Sequence, residues 1–570
     1  MPLLPGSIAE AANITGASTG SLPVELITRA AEAYPKPEGV TFAYGTAGVR
    51  TKGDILESTC FRFGLVAALR SKKVGGQAVG LMVTASHNPE PDNGLKMVDP
   101  RGEMLENSWE AHCTQIANVT TPQELIAALE KLVQSAHIDL STPATVVFAH
   151  DTRPSSPKLV KAIVAGLAAM GVNMIEGGLL TTPQLHYLVR AHNTAGSPDA
   201  YGEPTEEGYY KKLSEAYLKL VSDKPPMTPL IVDCANGVGA KSLTAFSKYV
   251  PEEHFRVLPL RTSISTPGAL NNGCGADYVK TNQRLPQGFD KEEHVKAGER
   301  MCAYDGDADR LIYFYVREAK KGCIQTGELG EFRLLDGDKI ATLVTDFLNE
   351  LVRKAGVELE VGCVQTAYAN GSSTKYLAKR NVPIKCTPTG VKHLHHAAES
   401  YDIGVYFEAN GHGTVLFSAR ALDAIKTALQ EPPTPAAQDA LTQLQALTEL
   451  INQTVGDALS DMLLVEVVLR SRQWGPEEWD GAYDDLPNKL LKVLVKDRRI
   501  FTTTDAERKL VTPAGLQDKI DELVRKYEDA RSFVRPSGTE DCVRVYAEAA
   551  RQSDMEALAA GVSRLVTEYS

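Results

Sequence analysis

Short apolar runs alternate along this chain with stretches whose apolar residues recur at helical spacing, the pattern of strands alternating with helices. Three segments share one plan of strand, polar turn, amphipathic helix and second strand. The first has a strand at 145–149, a turn at 151–154, a helix at 157–170 and a strand at 172–175. The second has a strand at 230–233, a turn at 236–239 and a helix at 240–249; the third runs from a strand at 362–365 through a turn at 370–373 to a return at 382–384. Such alternation predicts βαβ units and mainly parallel sheets, hence three related α/β domains. The tail reads differently: a strand at 489–495, a helix at 516–527, a strand pair within 535–547 and a last helix after Ser553, which predicts a smaller α+β domain. The expected boundaries are 1–190, 191–312, 313–480 and 481–570. Stretches 192–211 and 431–438 read by composition as surface insertions or linkers, and 473–487, rich in Gly, Pro, Asp and Glu, as a flexible joint.

Length agrees with this division, since 570 residues at roughly 150 per domain give about three to five domains. With 43% hydrophobic and 23% charged residues the composition is that of a globular protein, and no apolar run reaches the roughly 18 residues of a spanning helix. The N-terminus lacks the basic region and apolar core of a signal peptide, and nine scattered cysteines without a Cys-x-x-Cys pair fit a reducing compartment, so a cytoplasmic location is expected. A formal charge of −12 argues against nucleic acid as the main partner. Nothing indicates a membrane or an obligate protein partner, and an anionic substrate must be drawn in by local cations.

The buried-type run at 78–83 leads into Thr84-Ala85-Ser86-His87-Asn88-Pro89 and on to Asn93-Gly94-Leu95-Lys96, so Ser86 sits on a turn where a strand ends. A hydroxyl so placed, among groups suited to a phosphate, suggests a phosphoserine. Asp305-Gly306-Asp307-Ala308-Asp309-Arg310 sets three carboxylates at alternating positions, able to converge on one hard cation, with Mg²⁺ the natural choice. An EF-hand is excluded, because its sixth position is Arg310 where Gly is needed and its twelfth is Val316 where Glu is needed. Arg535-Pro536-Ser537-Gly538-Thr539-Glu540, with Arg544 beyond, combines guanidinium, hydroxyls and a glycine turn into a phosphate cradle. Glu408-Ala409-Asn410, followed by Gly411-His412-Gly413, places a carboxylate and an amide where they can take paired sugar hydroxyls. Glycine turns ending in Arg50 and containing Thr389, Gly390, Lys392 and His393 bring further cations.

In this order the motifs resemble the α-D-phosphohexomutase superfamily, over nearly the whole chain, and within it the acetylglucosamine branch. The resemblance implies the domains arranged around a central cleft and an isomerase that moves a phosphoryl group between the 6- and 1-positions of N-acetylglucosamine through a sugar 1,6-bisphosphate. It implies that Ser86 carries the phosphoryl group and that Ser86, Asp305, Asp307 and Asp309 enclose one Mg²⁺. The other phosphate rests on Arg535, Pro536, Ser537, Gly538, Thr539 and Arg544. Glu408, Ala409 and Asn410 read the ring, Thr389, Gly390, Lys392 and His393 close over it, and Arg50, His87 and Arg310 stabilise the group in flight. Lys96 and His412 are both candidates for the proton shuttle; Lys96 needs its pKa shifted down from about 10.4 to act as a base.

The sugar loop of the superfamily usually reads Glu-x-Ser-Gly-His, whereas Asn410 stands here, and Ala47 replaces a serine in the N-terminal turn. Both departures agree with the acetylglucosamine branch and predict a poorer fit for glucose and mannose phosphates. Three other readings compete. A mutase for another hexose phosphate is separated by substrate comparison. A silent sugar-phosphate binder normally has lost its nucleophile or a metal carboxylate, and a serine hydrolase needs a Gly-x-Ser-x-Gly elbow that Ser86 lacks.

Overall fold

The structure, a computed structural model, describes residues 20–45, 47–318, 329–537 and 542–570. These fold as two compact units, one made of the described residues up to Ser222 with Pro226–Phe332 and Asn452–Leu463, the other of Asp223–Pro225, Arg333–Ile451 and Leu464–Ser570. No helix among the described residues is long and apolar enough to cross a membrane.

In the first unit one sheet is built from β1 (Val49–Lys52), β2 (Ala78–Val83), β3 (Asp92–Val98), β4 (Thr145–His150) and β5 (Asn173–Leu179), in the order β1-β3-β2-β4-β5. β2, β4 and β5 are parallel, while β3 runs antiparallel to both β2 and β1. A second sheet has β6 (Leu230–Asp233), β7 (Val257–Leu260), β8 (Met301–Tyr304) and β9 (Leu311–Arg317), in the order β9-β8-β6-β7, and β10 (Glu331–Leu335) runs from the end of this unit into the second. β7, β6 and β8 are parallel, and β9 returns antiparallel to β8.

The second unit repeats the arrangement with β11 (Val361–Thr366), β12 (Ile384–Thr387), β13 (Ile403–Phe407) and β14 (Gly413–Phe417), in the order β12-β11-β13-β14, again three parallel strands closed by an antiparallel one. Its C-terminal part joins β15 (Asn488–Leu494), β18 (Arg531–Pro536) and β19 (Cys542–Glu548) in the antiparallel order β15-β19-β18, and adds a hairpin of β16 (Thr502–Thr504) and β17 (Lys509–Thr512). β2, β6, β8, β11, β13 and β14 are buried along their whole length. That is why these strands read as continuous apolar runs and not as alternating ones.

One consequence of the three matching sheets organises the chemistry. The hairpin joining the last parallel strand to its antiparallel neighbour is β2–β3 in the first sheet, β8–β9 in the second and β13–β14 in the third. Those hairpins carry the serine loop, the aspartate loop and the sugar loop.

Three stretches depart from the composition-based reading. Within 192–211 the helices Thr182–Thr194 and Glu206–Val221 take in both ends of the stretch, with Tyr209 and Tyr210 buried, and leave 195–205 as a mostly exposed connection. Within 431–438, Thr434 caps the helix Pro435–Leu450, so its prolines mark a helix start. The expected flexible joint at 473–487 contains the helix Pro476–Asp480, whose Trp479 and Asp480 are both 2% exposed. Asp480 pairs with Arg333 at 2.8 Å, and Lys339 Nζ donates to the Tyr483 carbonyl at 2.6 Å. Buried polar partners, not the residue types alone, decide where this stretch packs.

Asn452–Leu463 returns to the first unit. There Tyr209 Oη donates to both oxygens of Asp457 (2.9 and 2.8 Å), Tyr304 Oη lies 3.0 Å from Met462 Sδ, and the Ala458 N–H donates to the Ala308 carbonyl at 3.0 Å.

Candidate active site

Ser86 occupies the β2–β3 turn, fully buried, with φ 52°. A left-handed backbone costs a residue with a Cβ roughly 1–2 kcal/mol, so the surroundings must hold it. Thr84 Oγ1 accepts from the Ser86 N–H at 2.9 Å, and the Ser86 carbonyl accepts from Arg153 Nη2 and Asn271 Nδ2, both at 2.9 Å. Arg153 further donates to the carbonyls of Asn88 (2.8 Å), Pro89 (2.6 Å) and Asp92 (2.7 Å) and pairs with buried Asp151 at 3.0 Å. Asp151 in turn accepts from the Thr84 hydroxyl at 2.8 Å. In the sequence 151–154 shows only as a polar turn. The available signal was a charged pair directly after a buried strand parallel to the one bearing the serine, with Val83 opposite His150.

Ser86 Oγ donates to Asp305 Oδ2 at 2.6 Å. The aspartate loop lies this close because Gly306 has no side chain; a Cβ there would stand 2.6 Å from the Ser86 carbonyl oxygen. Asp305 Oδ1 accepts from the N–H groups of Asp309 (3.1 Å) and Arg310 (3.3 Å). Asp307 Oδ2 accepts from Thr182 Oγ1 at 2.6 Å and Lys96 Nζ at 3.2 Å, and Lys96 also reaches Asp309 Oδ2 at 2.9 Å. Asp307 Oδ1 is buried with no hydrogen-bond partner among the described residues. One oxygen from each of the three aspartates lies within 4.8 Å of the others.

Burial, then the charges of Asp309 and Asp307, push Asp305 well above the ordinary carboxylate range. Burial and Asp309 also work to raise Asp307, but Lys96, the Thr182 hydroxyl and Arg50 outweigh them and hold it below that range. Burial works to lower Lys96, and Asp307 and Asp309 overcome it, so its ammonium is stabilised. The downward shift that base catalysis by Lys96 requires is opposed in this arrangement.

Arg50 on β1 pairs with Gly94 on β3, two residues before Lys96, so Arg50 and Lys96 stand on one face of the sheet. Arg310 Nε is 3.8 Å from Asp305 Oδ2 and 3.9 Å from Asp309 Oδ1. His87 Nδ1 is 3.5 Å from Ser86 Oγ; burial, then Arg310 and Arg50, push its pKa down to about 3. The first unit thus gathers Ser86, His87, Lys96, Arg50, Arg310, Asp305, Asp307 and Asp309. Neutral His87 can donate a hydrogen bond but carries no charge.

The second unit holds the remaining candidates. In the β13–β14 turn the Glu408 N–H donates to the His412 carbonyl (2.9 Å), Asn410 Nδ2 donates to Glu408 Oε2 (3.3 Å), and the His412 N–H donates to Asn410 Oδ1 (3.0 Å). Ala409 is half-buried between them and the His412 ring is buried. Gly390, at φ 118°, donates to Glu408 Oε1 at 3.3 Å and opens the helix Val391–Ala398, which carries Lys392 and His393.

Arg535 and Arg544 face each other across β18 and β19. Like charges directly opposite destabilise a strand pair unless an anion offsets them, which fits a phosphate seat. Pro536 ends β18, and the Ser537 N–H donates to the Cys542 carbonyl at 2.9 Å. Gly538 and Thr539 lie outside the described residues. A residue not foreseen, Glu507, accepts from the Thr389 N–H (3.0 Å) and hydroxyl (2.9 Å) and lies 3.3 Å from Arg535 Nε. A lone glutamate in a hairpin gives no sequence signal.

Family models described as phosphoacetylglucosamine mutase AMG1, domain III and domain II, match residues 336–474 and 204–312. Those of phosphoglucomutase/phosphomannomutase domain I and C-terminal domain match 65–124 with 115–198, and 490–565. The phosphoacetylglucosamine mutase of Sus scrofa is 48% identical over 552 residues, covering 96% of this chain and 98% of its own. The chain belongs to the phosphoacetylglucosamine mutase family. Solved structures of that family align along almost the whole chain. The Aspergillus fumigatus N-acetylphosphoglucosamine mutase in complex with GlcNAc-6P and magnesium is 49% identical, with TM-score 0.91, over 97% of this chain and 100% of that one. A variant of it in complex with glucose 1,6-bisphosphate, also 49% identical, has TM-score 0.88 over 96% and 99%. The expected fold class, three related α/β parts followed by a smaller α+β part, is the fold of this phosphohexomutase family.

Proposed function

We infer that this chain interconverts N-acetylglucosamine 6-phosphate and N-acetylglucosamine 1-phosphate through a phosphoserine and a 1,6-bisphosphate, supplying the precursor of UDP-N-acetylglucosamine. The observation that carries the reading is the buried contact of Ser86 Oγ with Asp305 inside a three-carboxylate cluster, in a chain of this family. Four matched ranges, ending or beginning at 198 and 204, 312 and 336, and 474 and 490, support a division into four parts; the expected boundaries at 312 and 480 accord with them, and that at 190 lies inside the first range.

The donor set fits a hard dication: three convergent carboxylates, one with an orphaned buried oxygen, beside a serine that in phosphorylated form offers further oxygens. Asp305, Asp307, Asp309 and the Ser86 phosphate would hold Mg²⁺, which when bound offsets the phosphoryl charge and polarises its oxygens. The sugar hydroxyl attacks phosphorus in line, its P–O bond forming as the bond to Ser86 Oγ breaks. Arg50 and Arg310 stabilise the group in flight, and His87 contributes a neutral N–H. Proton transfer belongs to Lys96 or His412. The bisphosphate turns end over end, and its other phosphoryl group returns to Ser86. The phosphate at rest is held by Arg535, Pro536, Ser537, Gly538, Thr539 and Arg544. Glu408, Ala409 and Asn410 read the ring, with Thr389, Gly390, Lys392 and His393 against it.

The test is conversion of N-acetylglucosamine 6-phosphate with Mg²⁺ and a trace of sugar bisphosphate, run beside Ser86→Ala and a glucose phosphate control. Preference for the acetylated sugar and loss of orders of magnitude in Ser86→Ala are expected. Equal inactivity of both proteins with retained binding refutes catalysis in favour of a binder. Lys96→Met and His412→Gln, compared as kcat–pH profiles, identify the shuttle by which one abolishes the acidic limb, where protonation silences a general base.

A further inference from the structure

The β16–β17 hairpin places Asp505, Ala506 and Glu507 at φ 52°, 53° and 67°, three consecutive left-handed residues with side chains. Each costs roughly 1–2 kcal/mol in that conformation, and all three fall in the four-residue loop between the paired Thr504 and Lys509. The result is the position of Glu507. Its side chain is only 19% exposed, and its carboxylate meets a backbone N–H and a hydroxyl, both of Thr389, and the Arg535 guanidinium. Such a donor set makes an anion seat. Here the protein's own carboxylate sits in it.

We propose that Glu507 is an internal competitor for the sugar phosphate, a latch that ties Thr389 to Arg535 and that the substrate's phosphate must displace from Arg535. The inference rests on the reading of Arg535 as a phosphate ligand and Thr389 as a sugar contact. A phosphate monoester carries about −1.5 to −2 charges at neutral pH against −1 for the carboxylate, so it wins the guanidinium, while Glu507 keeps Thr389. Because the latched state does not bind phosphate, the apparent Kd is the intrinsic Kd divided by the unlatched fraction. Return of Glu507 to Arg535 then assists product release.

The test titrates N-acetylglucosamine 6-phosphate calorimetrically into the full chain carrying Ser86→Ala, which prevents turnover, with and without Glu507→Gln. Glutamine keeps an oxygen for the Thr389 N–H and removes the charge that holds Arg535. Kd is expected to fall about tenfold, or about 1.4 kcal/mol, with a slower off-rate. An unchanged or larger Kd overturns the latch. Should Glu507→Gln fail to fold, Glu507→Asp, one methylene short of Arg535, is expected to tighten binding severalfold, and equality with the parent overturns the proposal. If the parent Ser86→Ala protein binds no sugar phosphate, the mutase reading itself has failed; if it binds and the latch variant binds no tighter, only the latch has.

Discussion

Replacing Arg153 by Met should damage the serine loop through a buried side chain more than sixty residues away in sequence. Arg153 is 1% exposed and Asp151 fully buried, so the substitution leaves an uncompensated carboxylate in the interior. Breaking a buried pair from one side costs about 3–5 kcal/mol. The carbonyls of Ser86, Asn88, Pro89 and Asp92 lose a shared donor as well, although Asn271 still serves Ser86 and Asn88. At about 2 °C per kcal/mol for a unit of this size, the first calorimetric transition should fall by roughly 6–10 °C. The deficit should also depend on pH. Burial already pushes Asp151 up beside Arg153, and without the guanidinium it rises further. The folded variant then retains a proton that the unfolded chain, with an ordinary Asp near pKa ~3.9, has released. Folding of the variant is therefore penalised increasingly as pH rises, and its deficit against wild type should be larger at about pH 8 than at about pH 5. Scanning calorimetry at both pH values measures this. A deficit that is absent, or larger at the acid end, refutes the argument.

Thr182→Val removes the hydroxyl that fixes Asp307 Oδ2, so the Mg²⁺ concentration giving half-maximal activity should rise about tenfold or more, with activity recovered at saturating metal; a titration of activity against Mg²⁺ shows it. Gly306→Ala forces a Cβ against the Ser86 carbonyl and should destabilise by about 1–3 kcal/mol while lowering kcat more than tenfold, read from a melt and a rate on one preparation. Because burial, Arg310 and Arg50 push the His87 pKa down to about 3, His87→Gln should lower kcat without moving either limb of the pH–rate profile above pH ~5.

Much of this was legible in the amino-acid order. Strands at 145–149, 230–233 and 362–365 lie within β4, β6 and β11, since parallel strands buried on both faces read as unbroken apolar runs. The serine, aspartate and sugar loops were visible by their chemistry. That they are one hairpin in three copies was not, because periodicity reports burial and not which strands are neighbours. The first sheet hides it further: its hairpin precedes β4, the middle one of its three parallel strands, whereas in the other two sheets the hairpin follows the corresponding strand, β6 or β11. Arg153 and Glu507 were invisible for a related reason. Their roles depend on carbonyls, or on a guanidinium, distant in sequence and brought close only by the fold.

The return of Asn452–Leu463 to the first unit has a consequence for synthesis and for dissection of the chain. A protein ended at Phe332 lacks Asp457 for the Tyr209 hydroxyl, Met462 against Tyr304 and the N–H that closes on Ala308 within the aspartate loop. The first unit therefore cannot finish folding on the ribosome until Leu463 has emerged, by which time much of the second unit has emerged as well. Vectorial, domain-after-domain maturation is closed to this chain, and an autonomous N-terminal fragment must carry the 452–463 segment, grafted through a linker, to become ordered.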